Sequence, residues 1–255
     1  MGFTLTLLPS SGRPEPPQAR AEQWFHNPIQ AITVTTIGQF SPSADGACRV
    51  EFDRGAVGYV KPRQDAAKNP VVAREKIAFD LGFLLGLPVA PVVARSPDPP
   101  AWPYHSALSL EASTAARLWG AGGCDLSTAG KHLEELRVFW TWIGDQDHNG
   151  HAGNLLFTVR SGRSEVISID HSYSLCHGNK TDPLQVGVCQ GYGTAAMPDA
   201  PAWRAAVLAK INALEWPTIE HIVRRLEPIL DKGEQDTIIK IIKARRDHLA
   251  TLLGQ

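Results

Sequence analysis

The sequence predicts an α+β fold in two lobes, a small strand-rich N-terminal one and a larger, mostly helical C-terminal one. Three observations predict it. Residues 31–61 hold short β-branched or alternating runs parted by turn residues. After about residue 200 the apolar residues recur at helical spacing. Between these regions a long apolar helix runs into a polar loop and then a hairpin. With 255 residues and 43% hydrophobic content, the chain can bury a substantial core.

Taken in order, residues 1–30 read as an N-terminal arm, because "PSSGRPEPPQAR" (Pro9–Arg20) concentrates Pro, Ser and Gly. Residues 31–104 read as the N-lobe. Its strands are "AITVTTIGQF", "CRVEF" and "AVGYVK", the last two joined at the turn "DRG" (Asp53–Gly55). "PVVAREKIAFDLGFLLGL" (Pro70–Leu87) is a helix that Gly86 and Pro88 stop. "VAPVVA" is a short strand, and the loop at 96–104 is where the lobes should meet. Residues 105–255 read as the C-lobe. "HSALSLEAS" opens it as a strand, and residues 127–143 form a helix with Ser127 or Thr128 as N-cap. "NLLFTV" and "EVISI" pair across "RSGRS", and helices fill the rest. There is no internal repeat, so the two lobes make one domain.

Composition excludes several classes of function. A net charge of −1 gives no support for nucleic-acid binding or an anionic membrane surface. No apolar run approaches the roughly 20 residues of a membrane-spanning helix. The first residues lack the basic start and apolar length of a signal peptide. Cys48, Cys124, Cys176 and Cys189 show no paired spacing and read as reduced thiols, so a cytoplasmic location is expected.

The chemistry concentrates in "GDQDHNGHAGNLLF" (Gly144–Phe157) and "IDHSYSL" (Ile169–Leu175). A hairpin brings its ends together, so Asn154 before the first strand and Asp170 after the second should lie side by side. An amide oxygen with a carboxylate suits a hard cation such as Mg²⁺. Asp147, seven residues before Asn154, can accept a proton from or orient an attacking hydroxyl, and Asp145 is a further candidate. Asn149 carries no charge and cannot serve as a base. Upstream, Lys61 ends a strand and Glu75 lies early in the following helix, a pairing suited to holding phosphates. The turn "GQFSPSADGAC" offers Ser41 and Ser43 and small residues whose N–H groups can approach a phosphate, although no GxGxxG is present.

Lys61, "REKIAFDLGFLLGLPVAPV", "GDQDHNGHAGNLLF", "IDHSYSL" and the terminal "ARRDHLATLL" together resemble the HipA-like kinases, in particular their compact bacterial branch. These belong to the superfamily of phosphatidylinositol and protein kinases. The resemblance spans roughly residues 38–250. It implies a two-lobed protein-kinase-like fold and an ATP- and Mg²⁺-dependent Ser/Thr protein kinase. Lys61 would bind ATP phosphates with Glu75 as partner, Ser41 and Ser43 would line the phosphate turn, Asp147 would be the catalytic carboxylate, and Asn154 and Asp170 would hold Mg²⁺. The partner implied is a protein substrate of unknown identity. The chain departs from the family in placing His148 where an Arg usually follows the catalytic Asp.

Other readings stand beside this one. A small-molecule kinase would show a deep acidic acceptor pocket, and a pseudokinase would bind nucleotide without transfer. His148 and His151 with Asp170 could form a transition-metal site, although no third ligand has an obvious spacing. Trp140 and Trp142 are expected in the core. The basic group Lys243, Arg245 and Arg246 is expected on a solvated helix face.

Overall fold

The computed structural model describes residues 17–40, 47–53, 55–62, 69–99, 104–111, 116–119, 123–148, 152–160, 162–175, 184, 189, 192 and 194–254. Ser41 and Ser43 of the expected phosphate turn lie outside them, as do Asn149 and His151.

Six strands of the described residues form the N-terminal sheet: β1 (Ile29–Gln30), β2 (Val34–Phe40), β3 (Cys48–Phe52), β4 (Ala56–Pro62), β5 (Val92–Arg95) and β6 (Ser106–Leu110). Their order across the sheet is β1-β5-β6-β4-β3-β2. The pleat sorts their side chains. In β3, Cys48, Val50 and Phe52 are buried while Arg49 and Glu51 are exposed. In β4, Val60 is buried and its neighbours Tyr59 and Lys61 point to the opposite face. Gly58 is needed where β4 meets β6, since a Cβ there would stand 2.4 Å from the Ser109 carbonyl oxygen. Residues 106–110 are expected in the C-lobe, and they pair here with strands of the N-terminal sheet. β6 hydrogen-bonds to both β4 and β5, so the sheet runs on to Leu110. Within the arm expected over residues 1–30, the described part holds α1 (Pro17–His26) and β1. Trp24 of α1 is fully buried and packs near Phe52, with ring centroids 6.0 Å apart.

Helix α2 (Asn69–Leu85) packs against this sheet and is buried over most of its length. Its charged residues therefore need partners. Lys76 donates to the Trp24 carbonyl at 2.9 Å and pairs with Asp80, which accepts from Arg225 at 2.6 Å. That chain ties α2 to α1 on one side and to the C-terminal helices on the other.

The C-terminal part is built on α3 (Leu126–Ile143), whose residues from Ala129 are buried with few exceptions. Its N-cap is Asp125, whose side chain accepts from Ser127 N, rather than Ser127 or Thr128. Gly144 ends it with φ 63°, the left-handed conformation glycine adopts without penalty. A three-stranded sheet follows the order β7 (Arg117–Leu118), β8 (Leu155–Arg160), β9 (Arg163–Ser168). Helices α4 (Ala200–Ala213), α5 (Trp216–Arg224), α6 (Lys232–Asp247) and α7 (Leu249–Leu252) complete the lobe, the last expected helix being divided at His248. No described helix is long and apolar enough to cross a membrane. The architecture is thus the two-lobed α+β fold expected. Backbone bonds join the lobes directly: Ser168 N donates to Pro88 O at 2.8 Å, and Ala90 N donates to Ser168 O at 2.9 Å.

The basic group of α6 departs from expectation. Arg245 is fully buried and donates to the Thr141 and Trp142 carbonyls at the end of α3, where full helical pairing stops. Arg246 lies 3.4 Å over the Trp216 ring and donates to the Leu214 carbonyl. Three charges close in sequence read as a solvated stripe, but helical rotation turns Arg245 inward.

Candidate active site

Four expected residues meet in two contacts, and a fifth joins one of them. Lys61 Nζ donates to Glu75 Oε1 at 2.7 Å and also pairs with Asp170 Oδ1. Asn154 Nδ2 donates to Asp147 Oδ2 at 2.8 Å. The expected strand-to-helix pairing is therefore present, with Asp170 added to it. The hairpin register explains how the two contacts adjoin. Leu155 pairs with Ser168, and Ile169 N donates to Asn154 O at 3.0 Å, so Asn154 and Asp170 leave the same end of the hairpin.

Local conformation aims Asp170. It has φ 60°, a left-handed value that costs a non-glycine residue on the order of 1–3 kcal/mol. Ser172 Oγ donates to its Oδ1 at 2.7 Å and holds the turn. Charges are strongly coupled here. Burial opposes the Lys61 ammonium, but the Glu75 and Asp170 carboxylates outweigh it and hold its pKa above the usual value. Burial also opposes ionised Asp170, yet the Lys61 ammonium holds its carboxyl below the usual range. Both groups are therefore charged at neutral pH.

Below this lies a network that the sequence did not announce. Asp145 is buried and accepts from Asp147 N at 2.9 Å and from His148 N at 3.1 Å. His171 Nδ1 lies 3.1 Å from its other oxygen. His148 Nδ1 is 2.9 Å from Oδ1 at an angle poor for a hydrogen bond, so that attraction is chiefly between charges. His148 Nε2 lies 3.2 Å from the Asn154 carbonyl, which can only accept, and 3.0 Å from Ser168 Oγ. Both ring nitrogens of His148 thus have an acceptor within reach, an arrangement that favours the imidazolium form. Burial opposes that charge, and the Asp145 carboxylate overcomes it and raises the His148 pKa. Burial likewise pushes the Asp145 carboxyl up, but His148 and His171 bring it well below the usual carboxylate range. Ser168 Oγ accepts from Trp140 Nε1 at 3.0 Å and lies 3.1 Å from His171 Nε2. Trp140 stacks on His148 and His148 on His171, with centroids 4.5 and 4.7 Å apart. His171 N donates to Glu75 Oε2 at 3.1 Å, which links the network to the Lys61 pair.

The network has a clear mechanical effect. Asp145 and His148 hold the start of the 147–154 turn, and His148 also holds the Asn154 carbonyl at its end. Arg245 anchors the α3 terminus just before it. In the sequence Asp145 is a further candidate carboxylate near the helix end, Arg245 is expected on a solvated face, and Ser168 carries no assignment. Nothing in the spacing places Ser168 or Arg245 at this site.

Asp145, His148 and His171 are close enough to be considered for a metal, their facing atoms lying within 4.8 Å of one another. However, the Asp145 oxygens already accept from two backbone N–H groups and lie beside two imidazole nitrogens, all at 2.9–3.1 Å, which is the arrangement of a satisfied buried anion. The oxygens of Asn154 and Asp170 fit Mg²⁺ better. Asn154 turns its amide nitrogen to Asp147, so its amide oxygen would be the ligand atom and would make a hard-donor pair with the Asp170 carboxylate.

The Lys61–Glu75–Asp170 part of this site borders a cavity of about 650 Å³ between the lobes. Lys61, Glu75, Asp170 and His171 line one part of it, and Ala90, Val92, Ala107, Leu156 and Ile169 supply apolar walls.

No family model matches the chain, and no curated protein matches it. Among solved structures, it is similar to the Golgi casein kinase with Mn/ADP bound, with 12% identity and a TM-score of 0.49 over 92% of this chain and 75% of that one. It is also similar to the Rio2 kinase-ADP/Mg²⁺-phosphoaspartate complex from Chaetomium thermophilum, with 13% identity and a TM-score of 0.40 over 93% of this chain and 70% of that one.

Proposed function

We propose that the chain is a phosphotransferase that binds ATP with Mg²⁺ between its lobes and moves the γ-phosphoryl group to a hydroxyl. The observation that carries this reading is the meeting of Lys61 with Glu75 and Asp170 at the wall of a cavity sized for a small ligand, with the Asp147–Asn154 pair at the same end of the hairpin as Asp170. Lys61, steered by Glu75, neutralises phosphate oxygens. Asn154 and Asp170 hold the cation, which when bound shields the charge of the β- and γ-phosphates. Asp147 orients the acceptor hydroxyl and takes its proton. His148 holds the turn that carries Asp147 and Asn154, supplying a cation where the resembled family has an arginine. Catalysis of this kind is mainly positioning and charge stabilisation, which fits a site braced by a buried network.

The motifs favour the HipA-like type and Ser or Thr of a protein as acceptor, acting in the cytoplasm. The test is transfer of labelled γ-phosphoryl from ATP to a Ser/Thr peptide library, with and without Mg²⁺. Transfer that needs Mg²⁺ and is lost in Lys61→Ala supports the reading. ATP binding without transfer to any peptide or small alcohol removes the catalytic claim.

A further inference from the structure

The left-handed backbone of Asp170, with φ 60°, persists only if the residues around it hold it there. Upstream, the hairpin does so through the bond from Ile169 N to Asn154 O. Downstream, the segment 171–173 is held carbonyl by carbonyl. The His171 carbonyl accepts from Ser174 Oγ at 2.8 Å, and the Tyr173 carbonyl accepts from Gln146 N at 3.4 Å. Both donors belong to the C-terminal part. The Ser172 carbonyl between them accepts instead from Arg74 Nη1 of α2, at 3.1 Å in a buried contact. The next residue of α2, Glu75, accepts from His171 N at 3.1 Å. Two successive helix residues, one a donor and one an acceptor, thus grip two successive residues after Asp170. A single contact would let the segment pivot, whereas this pair sets its direction as well as its position.

Ser172 carries that grip to the carboxylate. Its Oγ and N donate to Asp170 Oδ1 at 2.7 and 3.4 Å, and Lys61 meets the same oxygen. These contacts all go to Oδ1, which leaves Oδ2 for a cation. Glu75 divides itself between the grip and Lys61, from which its other oxygen accepts at 2.7 Å. Arg74 is only 8% exposed, and burying a guanidinium costs more than burying an apolar side chain, so packing alone does not account for it. We propose that Arg74 is a positioning residue: it holds the Ser172 turn so that Asp170 presents its carboxylate to Mg²⁺, and it makes the cation site depend on where α2 lies. This deepens the phosphotransferase reading and rests on it.

The test is calorimetric titration of the full chain with ATP, in EDTA and across a series of Mg²⁺ concentrations. Arg74→Met should keep ATP affinity in EDTA within about twofold of the wild type and raise the Mg²⁺ concentration for half-maximal tightening on the order of tenfold or more, the worth of a hydrogen bond to a charged group. Arg74→Lys, which keeps a cationic donor, should recover most of that shift. Arg74→Gln, whose shorter side chain does not reach the Ser172 carbonyl, should behave like Arg74→Met and takes its place if that variant does not fold. In an Asp170→Asn background, Arg74→Met should add no further change in Mg²⁺ dependence. An unchanged Mg²⁺ requirement in Arg74→Met and Arg74→Gln, whatever their thermal stability, overturns the proposal while the phosphotransferase reading stands. So does a loss of ATP affinity that is equal with and without Mg²⁺, because Arg74 would then seat α2 as a whole. A wild-type chain that binds no ATP, or binds it without regard to Mg²⁺, overturns both.

Discussion

Replacing Asp145 and Asp147 separately by Asn distinguishes the brace from the catalyst. Asp145 is buried with two backbone N–H groups and two imidazole nitrogens around its oxygens. Asp145→Asn puts an NH₂ group among those donors and leaves the His148 imidazolium without its counter-charge. Removing one partner of a buried ion pair costs about 3–5 kcal/mol, a large part of the roughly 5–15 kcal/mol that holds a domain folded. For a chain of this size that corresponds to a fall in Tm of roughly 10 °C. Asp147→Asn is different. Its side-chain oxygen can still accept from Asn154 Nδ2, so stability should change by about 1 kcal/mol or less. Its proton-accepting ability is gone, which should lower the transfer rate on the order of 10²–10⁴-fold while ATP still binds. Urea unfolding and γ-phosphoryl transfer, measured on both variants and expressed per folded molecule, check both statements. If Asp145→Asn unfolds like the wild type, Asp145 does not brace the turn as argued. If Asp147→Asn transfers at a near-normal rate while folded Asp145→Asn does not, the catalytic assignment passes to Asp145.

Asp170→Asn should remove most Mg²⁺-dependent ATP binding, read as the difference between titrations with and without the cation, and an unchanged difference would clear Asp170 of that role. Lys61→Met leaves Glu75 and Asp170 without their shared ammonium, but the site opens to the cleft, so a loss of about 2 kcal/mol is expected rather than the full buried-pair value; a denaturation midpoint equal to that of the wild type would contradict the pairing. Stability should also depend on pH in two ways. The folded pKa of Asp145 is depressed, so its contribution is present above the unfolded value near 4 and lost as pH falls through the folded one. The folded pKa of His148 is raised, so its contribution is full below the unfolded value near 6.5 and lost as pH rises through the folded one. Urea midpoints taken from pH 3 to 9 should therefore decline on the alkaline side in the wild type and less steeply in His148→Gln; equal slopes would remove His148 from the account. Arg245→Met leaves the Thr141 and Trp142 carbonyls short of a donor at a cost of about 1–3 kcal/mol, and it should lower the transfer rate because Arg245 anchors the α3 end from which the chain runs to Asp147; a loss of stability with no change in rate would confine Arg245 to the fold.

Local patterns in the sequence determined much of this protein. Alternation in "CRVEF" and "AVGYVK" marks β3 and β4 and puts Lys61 opposite the buried Val60. The apolar spacing from Pro70 marks α2 and places Glu75 early in it. The hairpin of "NLLFTV" and "EVISI" brings Asn154 and Asp170 to one end, because a two-stranded ribbon returns on itself. What remained hidden depends on contacts between residues far apart in the chain. The pairing of β6 with β4 and β5 moved the sheet's edge past residue 104, and hydrogen bonds between distant strands leave no mark in a short window. A run such as "KARRDH" reads as a charged surface, yet the depth of α3 below α6 turned Arg245 inward onto carbonyls at the end of α3. The charge states of Asp145 and His148 were likewise decided by the fold, since each depends on an oppositely charged neighbour held close in a buried site, and only the packed lobes bring Ser168, His171 and Glu75 to that site.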